Sequence, residues 1–190
     1  PYLFTDAQSA FDALDGKLGE QIDEWIAGNG FISLGYVYNG PRCTTNSVRP
    51  IYTPDDLAGL KIRVMQNEGQ LTAFTSFGAN PIALSSSEQF TALQQGTIDA
   101  CENAVSNCWI NKYYEAGATH VINTHHCFVY IPMCMSDTAW NKIPEDLRET
   151  FLAAVQEGCE AQWQYLIDAN EEAIKNLKEV GVTFHDIDLE

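Results

Sequence analysis

The most constraining feature of this sequence is one long helical pattern near its carboxyl end. From Pro144 to about Val180, apolar residues recur three or four positions apart, and Gly158 is the only glycine. These apolar positions are Leu147, Phe151, Val155, Trp163, Leu166, Ile167, Ile174 and Leu177. At about 1.5 Å per residue, an unbroken helix of this size would be roughly 50 Å long, which exceeds one lobe of such a chain. The pattern therefore predicts a helix that extends across two lobes.

Segments with strand and helix patterns alternate upstream of this helix. We predict one or two helices over 6–27, further helices over 68–77, 85–96 and 104–116, and a short helix capped by Thr53. Strands are predicted over 31–38, 60–65, 80–84, 97–101, 119–123 and 127–135, and Asn39-Gly40-Pro41 is expected to end the first of them. This alternation indicates an α/β fold with largely parallel sheets.

The distribution of charge excludes some functions and points to one segment. The 190-residue chain has a formal net charge of −16, which argues against binding to nucleic acid or to an anionic membrane surface. Residues 41–64 are the exception, because they hold three of the four arginines together with Lys61 and only two acidic residues. A site for an anionic ligand is therefore expected to draw on this segment.

Other targeting and redox signals are weak. No window approaches the ~20 apolar residues that a membrane helix requires, and the given residues show no signal-peptide pattern, which is weak evidence because the chain does not begin with methionine. The chain opens at Pro1 in the middle of a pattern, which suggests a processed or truncated product. The six cysteines form no CxxC pair, and we expect most of them to be free thiols.

Arg63 is the strongest candidate for contact with a ligand. It follows Ile62 and precedes Val64 on a predicted strand, so its side chain leaves the sheet opposite to these apolar neighbours. A guanidinium group matches a carboxylate with two parallel hydrogen bonds, and a buried one requires an anion. The anion is either a ligand or an internal carboxylate such as Glu102, and both can hold together.

Three polar segments follow predicted strands, where ligands bind in α/β folds. Gln66 ends the Arg63 segment, Ser86 belongs to a capping box with free backbone N–H groups, and Asn103 can donate to or accept from a ligand. The alternatives are plain helix capping by Ser86 and by Asn103. We also assign Tyr130, on the strand over 127–135, to the ligand-contacting set.

A second class of function, catalysis, has little support. Cys127 lies beside His125 and His126, with Asp137 downstream, which superficially suggests a thiol nucleophile or a metal site. Adjacent strand residues point to opposite faces, so His126 and Cys127 would diverge, and no spaced second pair of metal ligands is present. We predict no enzymatic activity, no metal and no cofactor.

Several motifs together resemble the solute-binding subunits of TRAP (tripartite ATP-independent periplasmic) transporters. The resemblance spans about residues 30–180. It rests on the runs RCTTNSVRPI (42–51), TPDDLAGLKIRV (53–64), FGANP (77–81), EQFTALQQGTIDACEN (88–103), KYYE (112–115) and WNKIP (140–144). In that family, two α/β lobes of a type II-like periplasmic-binding-protein fold close on an organic acid, and a long helix braces both.

The resemblance implies roles for individual residues. It makes Arg63 the arginine that binds the ligand carboxylate, Arg42 a second ligand-facing arginine and Asn103 the ligand amide. Glu102 and His126 would position Arg63 without contacting the ligand themselves, with His125 as the alternative histidine. Ala100, Cys101 and Ala104 depart from the family pattern, and Ser86 replaces a frequent aromatic residue, which suggests a wider or more polar pocket.

The resemblance also implies domain limits and biological context. Family members have about 300 residues, so the chain is expected to lack an N-terminal part of lobe I. Lobe I would then hold residues 1–39 and 127–165, and lobe II residues 40–126 and 166–190. We expect a monomeric extracytoplasmic protein that binds a sugar acid or C4-dicarboxylate and passes it to membrane permease subunits. The alternatives are a ligand-sensing receptor module and a Cys/His-dependent enzyme.

Overall fold

The structure, a computed structural model, describes residues 2–187 and combines seven strands with seven α-helices there. The α-helices are α1 (Ala7–Leu14), α2 (Lys17–Gly28), α3 (Glu68–Ser76), α4 (Gln89–Gln94), α5 (Val105–Ile110), α6 (Asp137–Trp140) and α7 (Glu145–Glu179). The strands are β1 (Phe31–Asn46), β2 (Lys61–Val64), β3 (Asn80–Ala83), β4 (Ala100–Ala104), β5 (His120–Asn123), β6 (Phe128–Ser136) and β7 (Thr183–Asp186). Short 3₁₀ helices cover Pro54–Leu57, Ser86–Glu88 and Tyr113–Ala116.

The chain divides into two compact units. Of the described residues, unit 1 contains 2–3, 41–127 and 169–187, and unit 2 contains 4–40 and 128–168. Helix α7 is 35 residues long, about 52 Å at the usual rise, and its residues are shared between the two units. The long helix predicted from the apolar pattern is therefore present, and Gly158 does not interrupt it.

The sheet of unit 1 is mixed rather than largely parallel. Its strand order is β3-β2-β4-β1-β5-β7, and the pairs β2–β3, β2–β4 and β5–β7 are parallel. Strand β7 was not among the predicted strands. Strand β1 runs antiparallel to both of its neighbours, β4 and β5. Strand β1 begins in unit 2 and continues into unit 1, whereas the other strands of this sheet begin within unit 1.

Two predicted strand limits were wrong because long-range pairing overrides local signals. Strand β1 does not end at Asn39-Gly40-Pro41 but continues to Asn46. Gly40 adopts a φ angle of 84° within the strand. From Arg42 onward, β1 pairs with β4. Strand β4 covers 100–104 rather than 97–101. Its polar residues lie inside the strand, because Glu102 pairs with Thr44 of β1.

Unit 1 has two clusters of buried apolar residues. One contains Cys43, Cys101, Cys108, Ile98, Tyr113 and Val121 together with Ala173 and Leu177, so the end of α7 packs into this core. The other surrounds Ile62 and Val64 of β2 with Phe74 of α3, Leu57, Leu60 and Ile122. Burial of apolar area at about 25 cal/mol per Å² makes these clusters the main stabilising term of the unit.

Unit 2 is organised around aromatic side chains. Phe11 of α1, Tyr38 of β1, Tyr130 of β6 and Trp163 of α7 pack together, with ring centroids 4.6–6.2 Å apart for the contacting pairs. The Gln162 side chain accepts from Tyr38 N and donates to Tyr38 O, which ties α7 to β1 within this unit. Among residues 2–187, no helix combines the length and apolar character that crossing a membrane requires.

Candidate functional site

Strands β2 and β4 bring Arg63 and Glu102 together. The two strands pair in parallel, with Arg63 opposite Cys101, so Glu102 follows one position later. Ile62 and Val64 are buried in the apolar cluster described above, and strand alternation sends Arg63 away from it. The Arg63 side chain is 5% exposed, so its charge lies inside the protein.

Glu102 is the centre of a buried network of charged groups, and its closest partner is Arg42. Arg42 Nη2 donates to Glu102 Oε1 and to the Glu102 backbone carbonyl, each at 2.8 Å, and Arg42 Nε donates to Glu102 Oε2. Both side chains are buried, at 4% and 0% exposure. This is the paired geometry that a guanidinium group and a carboxylate favour.

His126 contacts the same carboxylate. Its Nε2 atom lies 3.3 Å from Glu102 Oε2, and its Nδ1 atom lies 2.8 Å from Thr124 Oγ1. Burial alone would raise the pKa of Glu102, but hydrogen bonds from His126 and Arg42 outweigh it and lower the pKa below the usual 4.5. Glu102 is therefore an anion in the folded protein.

Arg63 is held mainly by neutral groups. Its Nε atom donates to Leu84 O at 2.8 Å, while its Nη1 atom is 3.9 Å from Glu102 Oε1, too far for a hydrogen bond. When the Gln89 amide is oriented to donate to Tyr113 Oη, its oxygen accepts from Arg63 Nη1 at 2.6 Å. Burial lowers the pKa of Arg63, and the carboxylate of Glu102 opposes this effect.

Within residues 2–187, this arrangement leaves one positive charge without a paired carboxylate. Two buried guanidinium groups face one carboxylate. Among the described residues, no acceptor hydrogen-bonds to Arg63 Nη2 or to Arg42 Nη1. Buried charges are retained in proteins when they are paired, so the arrangement suits an anionic ligand.

The sequence prediction did not include Gln89 and Tyr113, which orient Arg63. Gln89 is completely buried and Tyr113 is 1% exposed. A signal for Gln89 was available, because it lies four positions before buried Leu93 and therefore shares its helix face in α4. Burial raises the pKa of Tyr113, so its hydroxyl stays neutral, and its oxygen accepts from the Gln89 amide.

Asn103 is next to this network but uses most of its amide internally. Its Oδ1 atom accepts from Ala104 N at 3.0 Å and from Asn107 Nδ2 at 3.1 Å, and its Nδ2 atom lies 3.4 Å from Tyr113 Oη. The residue is 7% exposed. It does not supply the cap of α5: the N-cap is Ala104, without a side-chain hydrogen bond.

The other predicted ligand contacts have different surroundings. Ser86 is exposed at the first position of the 3₁₀ helix Ser86–Glu88, whose capping box is formed by Ser85 and Glu88 as the sequence pattern indicated. Gln66 is exposed in the loop after β2. Tyr130 belongs to unit 2, where its hydroxyl donates to Ala7 O at 2.7 Å. Their contacts with a ligand stay predictions.

The thiol and metal alternative gains no support from the described residues. Burial raises the pKa of Cys127, which opposes formation of a nucleophilic thiolate. His126 directs its two nitrogens to Glu102 and Thr124. Within residues 2–187, no group of three or more His, Cys, Asp or Glu side chains could hold a metal ion, and all six cysteines are free thiols.

Comparison with known proteins gives a consistent result. The chain is 33% identical over 182 residues, 96% of its length, to the 2,3-diketo-L-gulonate-binding periplasmic protein YiaO of Escherichia coli K12, of which it covers 55%. It matches the sugar acid binding protein DctPAm from Advenella mimigardefordensis in complex with galactonate (TM-score 0.92, 32% identity, 100% of this chain and 61% of that one). A TRAP periplasmic solute-binding protein from Polaromonas sp. JS666 bound to D-erythronate is equally similar (TM-score 0.91, 33% identity, 98% and 61%).

These matches confirm the two-lobed α/β fold class and the resemblance to TRAP solute-binding proteins, and none of these relatives is named as an enzyme. The chain spans about 55% of the length of its curated relative YiaO. The family model for bacterial extracellular solute-binding proteins, family 7 (DctP), matches residues 1–190. The chain therefore belongs to the family 7 bacterial extracellular solute-binding proteins.

Proposed function

We propose that this chain is the ligand-capturing part of an extracytoplasmic solute-binding protein that takes up a small organic acid and delivers it to a TRAP-type transporter. The ligand is a sugar acid or a C4-dicarboxylate. The observation that carries the proposal is the buried excess of positive charge, with Arg42 and Arg63 facing the single carboxylate of Glu102.

The different surroundings of the two arginines support different tasks for them. Glu102 occupies Nε and Nη2 of Arg42, so Arg42 has only Nη1 for a ligand. Arg63 is fixed through Nε by Leu84 O and through Nη1 by Gln89, which leaves its Nη2 atom for a carboxylate oxygen. Each arginine thus keeps one Nη atom for a ligand. We assign the principal carboxylate-binding role to Arg63 because it has no hydrogen bond to Glu102, whereas Glu102 together with His126 positions Arg42.

The relatives support a hydroxylated acid as ligand. The similar proteins named above are described with 2,3-diketo-L-gulonate, galactonate and D-erythronate. All three ligands combine a carboxylate with oxygen-bearing carbons, and the exposed hydroxyl of Ser86 is available to a polar ligand. Binding without chemical conversion is expected, since the described residues offer no activated nucleophile beside a base.

Isothermal titration calorimetry of the 190-residue chain tests the proposal, with a panel of aldonates, uronates and C4-dicarboxylates as ligands. We expect saturable binding of at least one acid. Arg63→Ala should weaken that ligand roughly ten- to hundredfold, because a charge-assisted hydrogen bond contributes about 1.5–3 kcal/mol.

Arg49→Ala is the matched control. Arg49 carries the same charge from the same segment, but it is exposed and its guanidinium group donates to the carbonyls of Asp56 and Ala58. Its removal should leave the affinity within a factor of about two. Equal losses in the two variants would mean that the arginines act only through overall charge, and an unchanged affinity in Arg63→Ala would refute the role of Arg63.

A further inference from the structure

Two histidines lie on one face of the sheet in unit 1, at the edge formed by β5 and β7. These strands pair in parallel, with His120 opposite Thr183 and Ile122 opposite His185. Thr183 and His185 are two positions apart, so their side chains project from the same face of β7. The face thus combines two imidazole rings and one hydroxyl group.

The donor atoms of these three side chains converge. His120 Nδ1 lies 3.2 Å from His185 Nε2, and Thr183 Oγ1 lies 3.0 Å from each of these two nitrogens. Two imidazole nitrogens bound to one zinc ion at about 2.0–2.1 Å are separated by roughly 2.9–3.3 Å, depending on the bond angle. The separation observed between the rings therefore already fits a shared ion.

A neighbouring tyrosine fixes the orientation of His185. Tyr52 Oη lies 3.3 Å from His185 Nδ1, and the two rings meet edge to face at 5.5 Å. When Nδ1–H donates to this hydroxyl, the lone pair of His185 Nε2 faces His120 and Thr183. Histidines that bind metals commonly donate their other N–H to such a partner, which sets the tautomer.

The surroundings of the pair also favour a cation. The two rings are only partly buried, and the chain carries a net charge of −16, which raises the local concentration of cations.

We propose that His120 and His185 chelate a divalent transition metal ion, with Thr183 or water completing the coordination. Because the pair supplies only two strong ligands, this is an open surface site rather than a closed structural one. Neutral imidazole suits zinc, nickel and copper better than magnesium or calcium, which prefer oxygen ligands. The site is separate from the arginine network and does not depend on the proposed function.

Titration of the full chain with Zn²⁺, and separately with Ni²⁺, tests this proposal by calorimetry. A Cys134→Ser background removes the exposed thiol as a competing ligand. We expect one ion per chain, and Mg²⁺ should not compete. His120→Asn and His185→Asn should each weaken binding at least tenfold. Absence of saturable binding of either metal ion would refute the proposal.

His125→Asn is the matched control, because it removes another histidine outside the pair. Asn is chosen since His125 has φ 40°, a conformation that Asn tolerates better than most residues. Binding in His125→Asn should equal that of the background, and a loss as large as in His120→Asn would refute the assignment. Tyr52→Phe retains both ligands and should weaken binding about tenfold or more, as expected for loss of an orienting partner.

Discussion

Arg42 Nη2 donates at 2.8 Å to both the side-chain carboxylate and the backbone carbonyl of Glu102. The guanidinium group thus spans the side chain and main chain of one residue in the middle of β4. Because Arg42 and Glu102 lie on adjacent antiparallel strands, this contact joins the register of β1 and β4 to the charge network. Loss of Glu102 would affect both.

Removal of Glu102 should strongly destabilise unit 1. Glu102→Ala leaves Arg42 and Arg63 buried without their shared carboxylate, and breaking a buried ion pair in this way typically costs about 3–5 kcal/mol. Urea denaturation monitored by circular dichroism measures the loss. Glu115→Ala is the control, since the Lys112–Glu115 pair is exposed and should contribute less than about 1 kcal/mol. Similar losses in the two variants would contradict the central role of Glu102.

The lowered pKa of Glu102 predicts how stability depends on acid pH. The unfolded chain takes up this proton near pH 4.5, whereas the folded chain takes it up at a lower pH. The contribution of Glu102 is therefore complete above about pH 4.5, and it is lost as the pH falls through the folded-state pKa. Urea midpoints measured from pH 7 to pH 3 should fall more steeply for the native sequence than for Glu102→Gln. Parallel curves would show that Glu102 does not contribute to acid unfolding.

Two glycines in open surroundings should respond to alanine in opposite ways. An added Cβ atom at Gly158 or at Gly181 meets no atom within 4 Å, so only the backbone conformation distinguishes them. Gly158 is inside helix α7, and Gly158→Ala should stabilise by about 0.5–1 kcal/mol. Gly181 has φ 91°, and Gly181→Ala should destabilise by about 1–2 kcal/mol. Thermal unfolding measures both changes, and shifts of the same sign would contradict the prediction.

The cysteines should differ widely in reactivity. Cys134 is the exposed one, whereas Cys43, Cys101 and Cys108 are buried, and burial raises their pKa values, for Cys108 to about 11. A disulfide exchange reagent at pH 8 should therefore show one fast thiol in the native protein and six after unfolding in urea. Cys134→Ser should abolish the fast phase, and persistence of that phase would contradict this assignment.

The sequence predicted the elements with strong periodicity and missed what depends on distant partners. Helix α7 and the capping box of Ser85 and Glu88 are visible locally, because spacing and side-chain chemistry define them. The limits of β4 are not visible in the local sequence. A segment containing Glu102 and Asn103 has the polarity of a loop, and it is a buried strand only because β1 supplies backbone partners and Arg42 supplies the counter-charge.

The same limitation applies to the site. Arg63 could be singled out because a charge flanked by Ile62 and Val64 is unusual in any context. Its pairing was not predictable in detail: Glu102 binds Arg42 more closely than Arg63, and Gln89 with Tyr113 holds Arg63 instead. These contacts join residues more than 20 positions apart, and a single sequence does not record such distances.

The pairing of β5 with β7 has a consequence for how the protein is made. His120 and Thr183 are neighbours in the sheet but are separated by 62 intervening residues, which include all of α7. During synthesis on the ribosome, this edge of the sheet stays open until all of α7 and then β7 have been made. Contacts of such sequence separation form slowly. We therefore expect unit 1 to complete its sheet only after α7 has formed, which makes the pairing of β7 a late step of folding.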